Sequence, residues 1–143
     1  MRGKSAIALL ALVAVACAGA GQTGRSGGPA RVQVQAEEYK FGGVPSTMPQ
    51  GVVTFVLENV GQETHEFGLA KITGDKPIEE LVRLPQDQVG EFIKQVGGTG
   101  AKPGAESSFR ATLRPGRYGY VCFVETDGKP HAAMGMYGEF TVT

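Results

Sequence analysis

Histidine and cysteine are scarce in this chain. Its 143 residues include two of each: His65 and His131, Cys17 and Cys122. No C-x-x-C-H segment occurs, which excludes covalent attachment of a c-type haem. A Gly-rich phosphate loop and a Ser-His-Asp order are also missing, so nothing points to nucleotide handling or to serine-type hydrolysis. There is no excess of either charge, with 14 basic and 14 acidic residues overall. Leaving out Arg2, Lys4 and Arg25 near the N-terminus, 11 basic residues face 14 acidic ones. A mildly acidic domain lacks the basic face of a nucleic-acid binder. The apolar run Ala6 to Ala16 is shorter than the ~20 residues a membrane span needs. No internal repeat is visible, and the length fits one domain.

What is present begins with an export signal. Arg2 and Lys4 form a positive start, and the apolar run fits the hydrophobic part of a signal peptide. Small residues then lead into a cysteine, Ala14-Val15-Ala16-Cys17. This resembles the bacterial lipobox, although Ala14 stands where Leu is usual. The resemblance implies that residues 1–17 are a signal segment with its lipobox ending at Cys17, and that Cys17 is lipidated and becomes the first mature residue. Two or more acyl chains anchor stably. The same Ala14-Val15-Ala16 also satisfies an ordinary cleavage site. Residues 18–30 are rich in Gly, Ser and other small residues and are expected to form a flexible tether. With Cys17 lipidated or removed, Cys122 is a lone thiol in an oxidising compartment. It is then either a buried structural thiol or a metal ligand.

From Arg31 to Thr143 the pattern is of short strands. Val32 to Ala36 alternates with period two, and Tyr39 to Phe41 continues it. Met48 to Gly51 reads as a turn, Val52 to Asn59 as a buried strand, and Asn59 to Gln62 as a break. Glu66 to Ile72, with Phe67 and Leu69 on one face, reads as the next strand. Ser107 to Leu113, Tyr118 to Phe123 and Glu139 to Val142 follow. Pro77 to Arg83 and Gln86 to Gln95 have helical spacing, Gly97-Gly98 is expected to stop the second segment, and Gly97 to Gly104 reads as irregular loop. About seven strands in ~110 residues fit a two-sheet sandwich, with a small barrel as the alternative.

The chemistry gathers near the C-terminus. A strand ends at Cys122, a loop with Asp127-Gly128 delivers His131, and Met134 and Met136 precede the last strand. Thiolate, imidazole and thioether together are ligands for copper, and two His, one Cys and a weak axial Met define a blue-copper electron-transfer site. The second imidazole has one source, His65, at the start of a strand. Taken singly, each residue has an ordinary reading: a satisfied histidine, a small buried thiol, Met as core filler. One metal site accounts for all of them together.

Pro130-His131 followed by Gly135-Met136 resembles the copper loop of the cupredoxins, the plastocyanin and azurin superfamily, with four residues between His and Met. The eight residues between Cys122 and His131 resemble the type 1 loop of copper nitrite reductases. Phe55 to His65, with Asn59 and Gly61 between, resembles the strand and turn carrying the upstream ligand. The whole of Arg31 to Thr143 resembles small exported bacterial cupredoxin-like proteins. The resemblance implies an all-β, cupredoxin-like Greek-key β-sandwich with a short helical insert. It implies one copper held by His65, Cys122, His131 and Met136, with Met136 axial and Met134 on an apolar rim. It further implies a monomeric one-electron carrier, not an enzyme, on the periplasmic or extracellular face of a membrane, serving a redox partner protein. Copper storage or delivery, or a metal-free binding module, are the rival readings. One departure stands out: cupredoxins often carry Asn after the upstream His, helping to lock the ligand loops, and here that position is Glu66. His131 is expected to open onto an apolar surface formed with Ala132, Ala133, Met134 and Met136.

Overall fold

In strand β1 (Ala30–Glu37), Val32, Val34 and Ala36 are buried while Gln33 and Gln35 face solvent, the half-buried alternation its sequence encodes. The structure, a computed structural model, describes residues 28–143. The leader, Cys17 and most of the expected tether lie outside the described residues. The chain continues through β2 (Lys40–Gly42), β3 (Thr47–Met48), β4 (Gly51–Asn59) and β5 (His65–Ile72). Two short helices follow, α1 (Ile78–Leu81) and α2 (Gln86–Val89), then β6 (Ile93–Ala101), β7 (Glu106–Leu113) and β8 (Gly116–Val121). The last part holds β9 (Glu125–Thr126), β10 (Lys129–Pro130), a 3₁₀ turn (His131–Met134) and β11 (Tyr137–Val142).

These strands form two main sheets, in the orders β2-β1-β4-β7 and β3-β11-β8-β5-β6, with β9 and β10 as a separate hairpin. Both sheets are mixed: β1 runs parallel to β4, and β3 parallel to β11. The core lies between them. Phe55 of the first sheet packs on Phe67 and Phe140 of the second, at ring-centroid distances of 5.6 and 6.3 Å. Two separate facing sheets make this a sandwich and not a barrel. Among the described residues, no helix is long and apolar enough to cross a membrane.

Three local expectations are corrected. Tyr39 to Phe41 does not extend β1. The chain reverses at Glu38-Tyr39, and β2 pairs back antiparallel with Glu37 opposite Lys40. That reversal carries Glu38 and Tyr39 to one end of the sandwich. Met48 is not in a turn. It is buried in β3, opposite Val142. The largest correction is β6. The segment read as the end of a helix and a Gly-rich loop is a nine-residue strand on β5. Its glycines make room. A Cβ at Gly97 would stand 2.9 Å from the Phe109 ring, and one at Gly98 2.9 Å from the Phe67 carbonyl oxygen. Among the described residues α-helix is confined to α1 and α2; α1 packs Ile78 and Leu81 against Ile72 and Ile93, with Val89 of α2 at the edge of the same cluster. Arg117 clasps Glu139 with two bonds of 2.6 and 2.9 Å and also donates to the carbonyls of Gly74 and Lys76, tying the insert to the sheet.

Candidate metal centre

The alternation of β5 positions the first candidate ligand. His65, Phe67 and Leu69 share its buried face, so the side of the strand that builds the core also turns the His65 ring inward. Cys122 directly follows β8 and is fully buried. The loop after it folds back by main-chain bonds. The His131 N–H donates to the Val124 carbonyl and the Ala132 N–H to the Cys122 carbonyl, each at 2.8 Å. The Met136 N–H donates to the His131 carbonyl and the Cys122 N–H to the Met136 carbonyl, each at 3.0 Å. The turn needs the left-handed backbone of Gly135, at φ 101°, which a side chain resists.

This folding brings His65, Cys122 and His131 together, with one ligand atom from each lying within 4.8 Å of the others and all three residues buried. Nδ1 of His65 is 3.1 Å from Nδ1 of His131, which is 3.5 Å from the Cys122 sulfur. Met136 is fully buried and pinned by its backbone to both Cys122 and His131. Met134 is half-buried on the 3₁₀ turn.

The outer nitrogens of both rings face carboxylates. His65 Nε2 lies 3.2 Å from Glu38 Oε1, and His131 Nε2 lies 3.0 Å from Glu63 Oε2 and 3.0 Å from the Thr126 hydroxyl. The Thr126 hydroxyl donates to Glu63, and the Tyr39 hydroxyl donates to the other Glu63 oxygen at 3.0 Å. The Glu38 carboxyl is pulled down to about 2, chiefly by the Glu63 backbone N–H against the opposing effect of desolvation, with help from the Gln62 N–H. Glu63 is likewise lowered, first by the Thr126 hydroxyl. Burial pushes the Cys122 thiol up, partly opposed by the N–H groups of Glu66 and Val124.

Such a donor set suits a metal. An Nε2–H on each ring would face a carboxylate and leave two Nδ1 lone pairs 3.1 Å apart beside a sulfur, a contact that calls for a cation or a shared proton between them. Two imidazoles and one thiolate fit copper, which takes nitrogen and soft sulfur together.

Glu66 fills the role that the departure from Asn had put in question. Its backbone N–H donates to the Cys122 sulfur at 3.3 Å, and its carboxylate accepts the Phe123 N–H at 2.9 Å. The two ligand segments are therefore clamped at Cys122 and at the residue that follows it. The expected exposure of His131 is corrected: its relative accessibility is 0 %. The edge-on Tyr39 ring, centroid 4.8 Å away, covers it, and Glu63 and Thr126 occupy its outer nitrogen. Phe123, beside Cys122, is instead 42 % exposed.

Sequence reasoning missed Glu38, Tyr39, Glu63 and Thr126. Only Asn59 and Gly61 hinted at them. Asn59 is buried and holds the loop by donating to the carbonyls of Glu63 and Ala101, at 2.7 and 2.9 Å. At Gly61 a Cβ would stand 2.5 Å from Glu38 Oε1.

No protein-family profile and no curated protein sequence matches the chain. Solved structures do. The chain is similar to an auracyanin from Roseiflexus castenholzii, solved in its dithionite-reduced form, at a TM-score of 0.55 and 20 % identity, over 81 % of this chain and 99 % of that one. It is also similar to auracyanin A of Chloroflexus aurantiacus, described as a blue copper protein, at 0.57 and 21 %, over 81 % and 100 %. These likenesses establish the fold as a cupredoxin-like β-sandwich with a short helical insert.

Proposed function

We propose that this protein is a mononuclear type 1 copper protein that carries single electrons outside a cytoplasmic membrane. The observation that carries the reading is the convergence of His65, Cys122 and His131, whose ligand atoms lie within 4.8 Å of one another in a buried site. The similar auracyanin A, described as a blue copper protein, supports it. Copper bound there supplies a one-electron couple between its cupric and cuprous forms.

The chain's own residues make such a couple usable. His65, Cys122 and His131 would hold the metal, and Met136 would add a weak thioether donor. Main-chain bonds within the Cys122 to Met136 loop, and the Glu66 clamp, hold the ligands in one arrangement for both oxidation states. Burial of all three donors shields them from water, and we assign the site to electron transfer. A donor protein supplies the electron and an acceptor protein takes it. Phe123, bonded to Cys122 and exposed, offers a short covalent route to the surface, in place of the buried edge of His131.

Adding Cu(II) to the metal-free protein is expected to produce, at one equivalent, the intense visible band of thiolate-to-copper charge transfer, bleached by a one-electron reductant and restored by an oxidant. A colourless complex that takes up Cu(I) and resists oxidation would overturn the carrier reading in favour of delivery.

The proposed location rests on Cys17 and the lipobox-like residues before it. Lipid on Cys17 would tether a monomeric domain to the periplasmic or extracellular face of a membrane. Cys17→Ala should move the protein from the membrane fraction to the unlipidated precursor or the released pool. Unchanged partitioning after an alkaline wash would refute this anchor.

A further inference from the structure

Cys122 and the two histidines account for the donor atoms, but not for what stands behind them. Each ring is backed by a glutamate, and each glutamate is itself held. Glu38 accepts the N–H groups of Gln62 and Glu63 at 2.7 and 2.8 Å, over a glycine, Gly61, where a side chain would displace it. Glu63 receives the hydroxyls of Tyr39 and Thr126. These four residues come from the β1–β2 reversal, the loop before β5 and the β9–β10 hairpin, so three separate segments converge on the outer edges of two rings. Both carboxylates are about 30 % exposed while the rings they back are fully buried. The pair is thus interposed between solvent and the site.

We propose that Glu38 and Glu63 are paired positioning residues. Each fixes its histidine as the Nε2–H tautomer, with Nδ1 turned toward the metal, and together they place two negative charges behind the ligands that lower the reduction potential of the site. This inference rests on the copper reading above. A carboxylate behind a ligating imidazole orients the ring and makes its free nitrogen a stronger donor, and losing such a partner typically costs 10–100-fold in metal affinity. Stronger donors and nearby negative charge favour the more highly charged cupric form over the cuprous one. A single backed ring would be an ordinary orienting contact. Two, each on a carboxylate locked by its own donors, set the charge of the whole site.

Glu38→Gln and Glu63→Gln separate charge from shape, because the amide oxygen still accepts the ring N–H. In the full chain loaded with copper, each Gln variant should keep the visible band and shift relative affinity toward Cu(I) by about tenfold, which raises the potential by about 59 mV for one electron. The double variant should rise further than either alone. A purely structural role predicts lower stability with an unchanged potential, and potentials equal to that of the parent protein would overturn the inference while the copper reading stood. A second measurement needs no copper. The ¹⁵N shifts of the imidazoles in the metal-free chain should report protonated Nε2 on both rings, retained in the Gln variants. Glu38→Leu should lose it at His65, and Glu63→Leu should weaken it at His131, where Thr126 remains. Rings found with free Nε2 in the parent protein would overturn the inference. Absence of a visible band in the parent protein with copper would instead overturn the copper reading, leaving the tautomer result to decide the positioning role.

Discussion

Cys122→Ser is expected to abolish the visible thiolate–copper band completely and to leave a folded domain. The colour requires a sulfur donor, and the described residues hold one cysteine, fully buried, with its Sγ 3.5 Å from His131 Nδ1. A serine hydroxyl is nearly the same shape but does not ionise at neutral pH. It loses both the soft donor and the negative charge that copper favours. The fold should survive because the buried hydroxyl does not go unpaired. The Glu66 N–H, 3.3 Å from the sulfur, and the His131 ring remain as partners, whereas an unsatisfied hydroxyl would cost ~1–3 kcal/mol. Absorption spectra with Cu(II), beside a denaturant melt of the metal-free forms, check both halves. A variant that kept the parent spectrum would remove Cys122 from the site and with it the type 1 assignment.

Cys122, His65 and His131 were legible in the sequence for a chemical reason. Thiol and imidazole side chains have few structural uses, and a chain with so few of them leaves little ambiguity about what a shared site would contain. The inward face of β5 was legible too, because Phe67 and Leu69 declare the alternation and His65 falls on its period. The setting around the ligands was not. Glu38 and Tyr39 reach the site because the chain reverses after β1, yet alternating residues on both sides of the reversal look like one strand. Carboxylates are common on surfaces, so Glu63 two residues before His65 carries no signal until Asn59 and Glu38 are seen to hold its loop. The burial of His131 depends on Tyr39, which arrives from the β1–β2 reversal, and on Thr126, which the β9–β10 hairpin folds back onto the ring. β6 was hidden because glycine has two meanings. It interrupts regular structure when only local preference matters, but at Gly97 and Gly98 it is the residue small enough for a close approach to Phe109 and β5. Glu66 shows the converse, a change of residue type that still ties two segments together. The Glu side chain spans the gap to the Phe123 N–H and clamps the ligand segments together.

Met136→Leu should keep the visible band and raise the reduction potential, while Met134→Leu should change it little. Met136 is bound through its backbone to both loop ligands, donating to the His131 carbonyl and accepting from the Cys122 N–H, and its side chain is fully buried. Met134 lies on the 3₁₀ turn, half-buried, before the left-handed Gly135 redirects the chain. A thioether in the axial position is a weak donor that adjusts the balance between oxidation states without being needed for binding. Leucine preserves volume and apolarity, so the cost in stability should stay under about 1.5 kcal/mol. It removes the sulfur lone pairs, however, and the cupric form loses more from this than the cuprous form, which tolerates fewer donors. Each tenfold shift in relative affinity toward Cu(I) raises the potential by about 59 mV for one electron, and at least one such step is expected. The shift has the same sign as those expected for Glu38→Gln and Glu63→Gln but a different origin, and because Met136 and Glu63 both bond to His131, the departure of a combined Met136→Leu, Glu63→Gln variant from additivity measures the coupling between them. Voltammetry of the two methionine variants decides the assignment. A large rise for Met134→Leu with none for Met136→Leu would move the axial role to Met134, and no shift for either would leave the site without a thioether ligand.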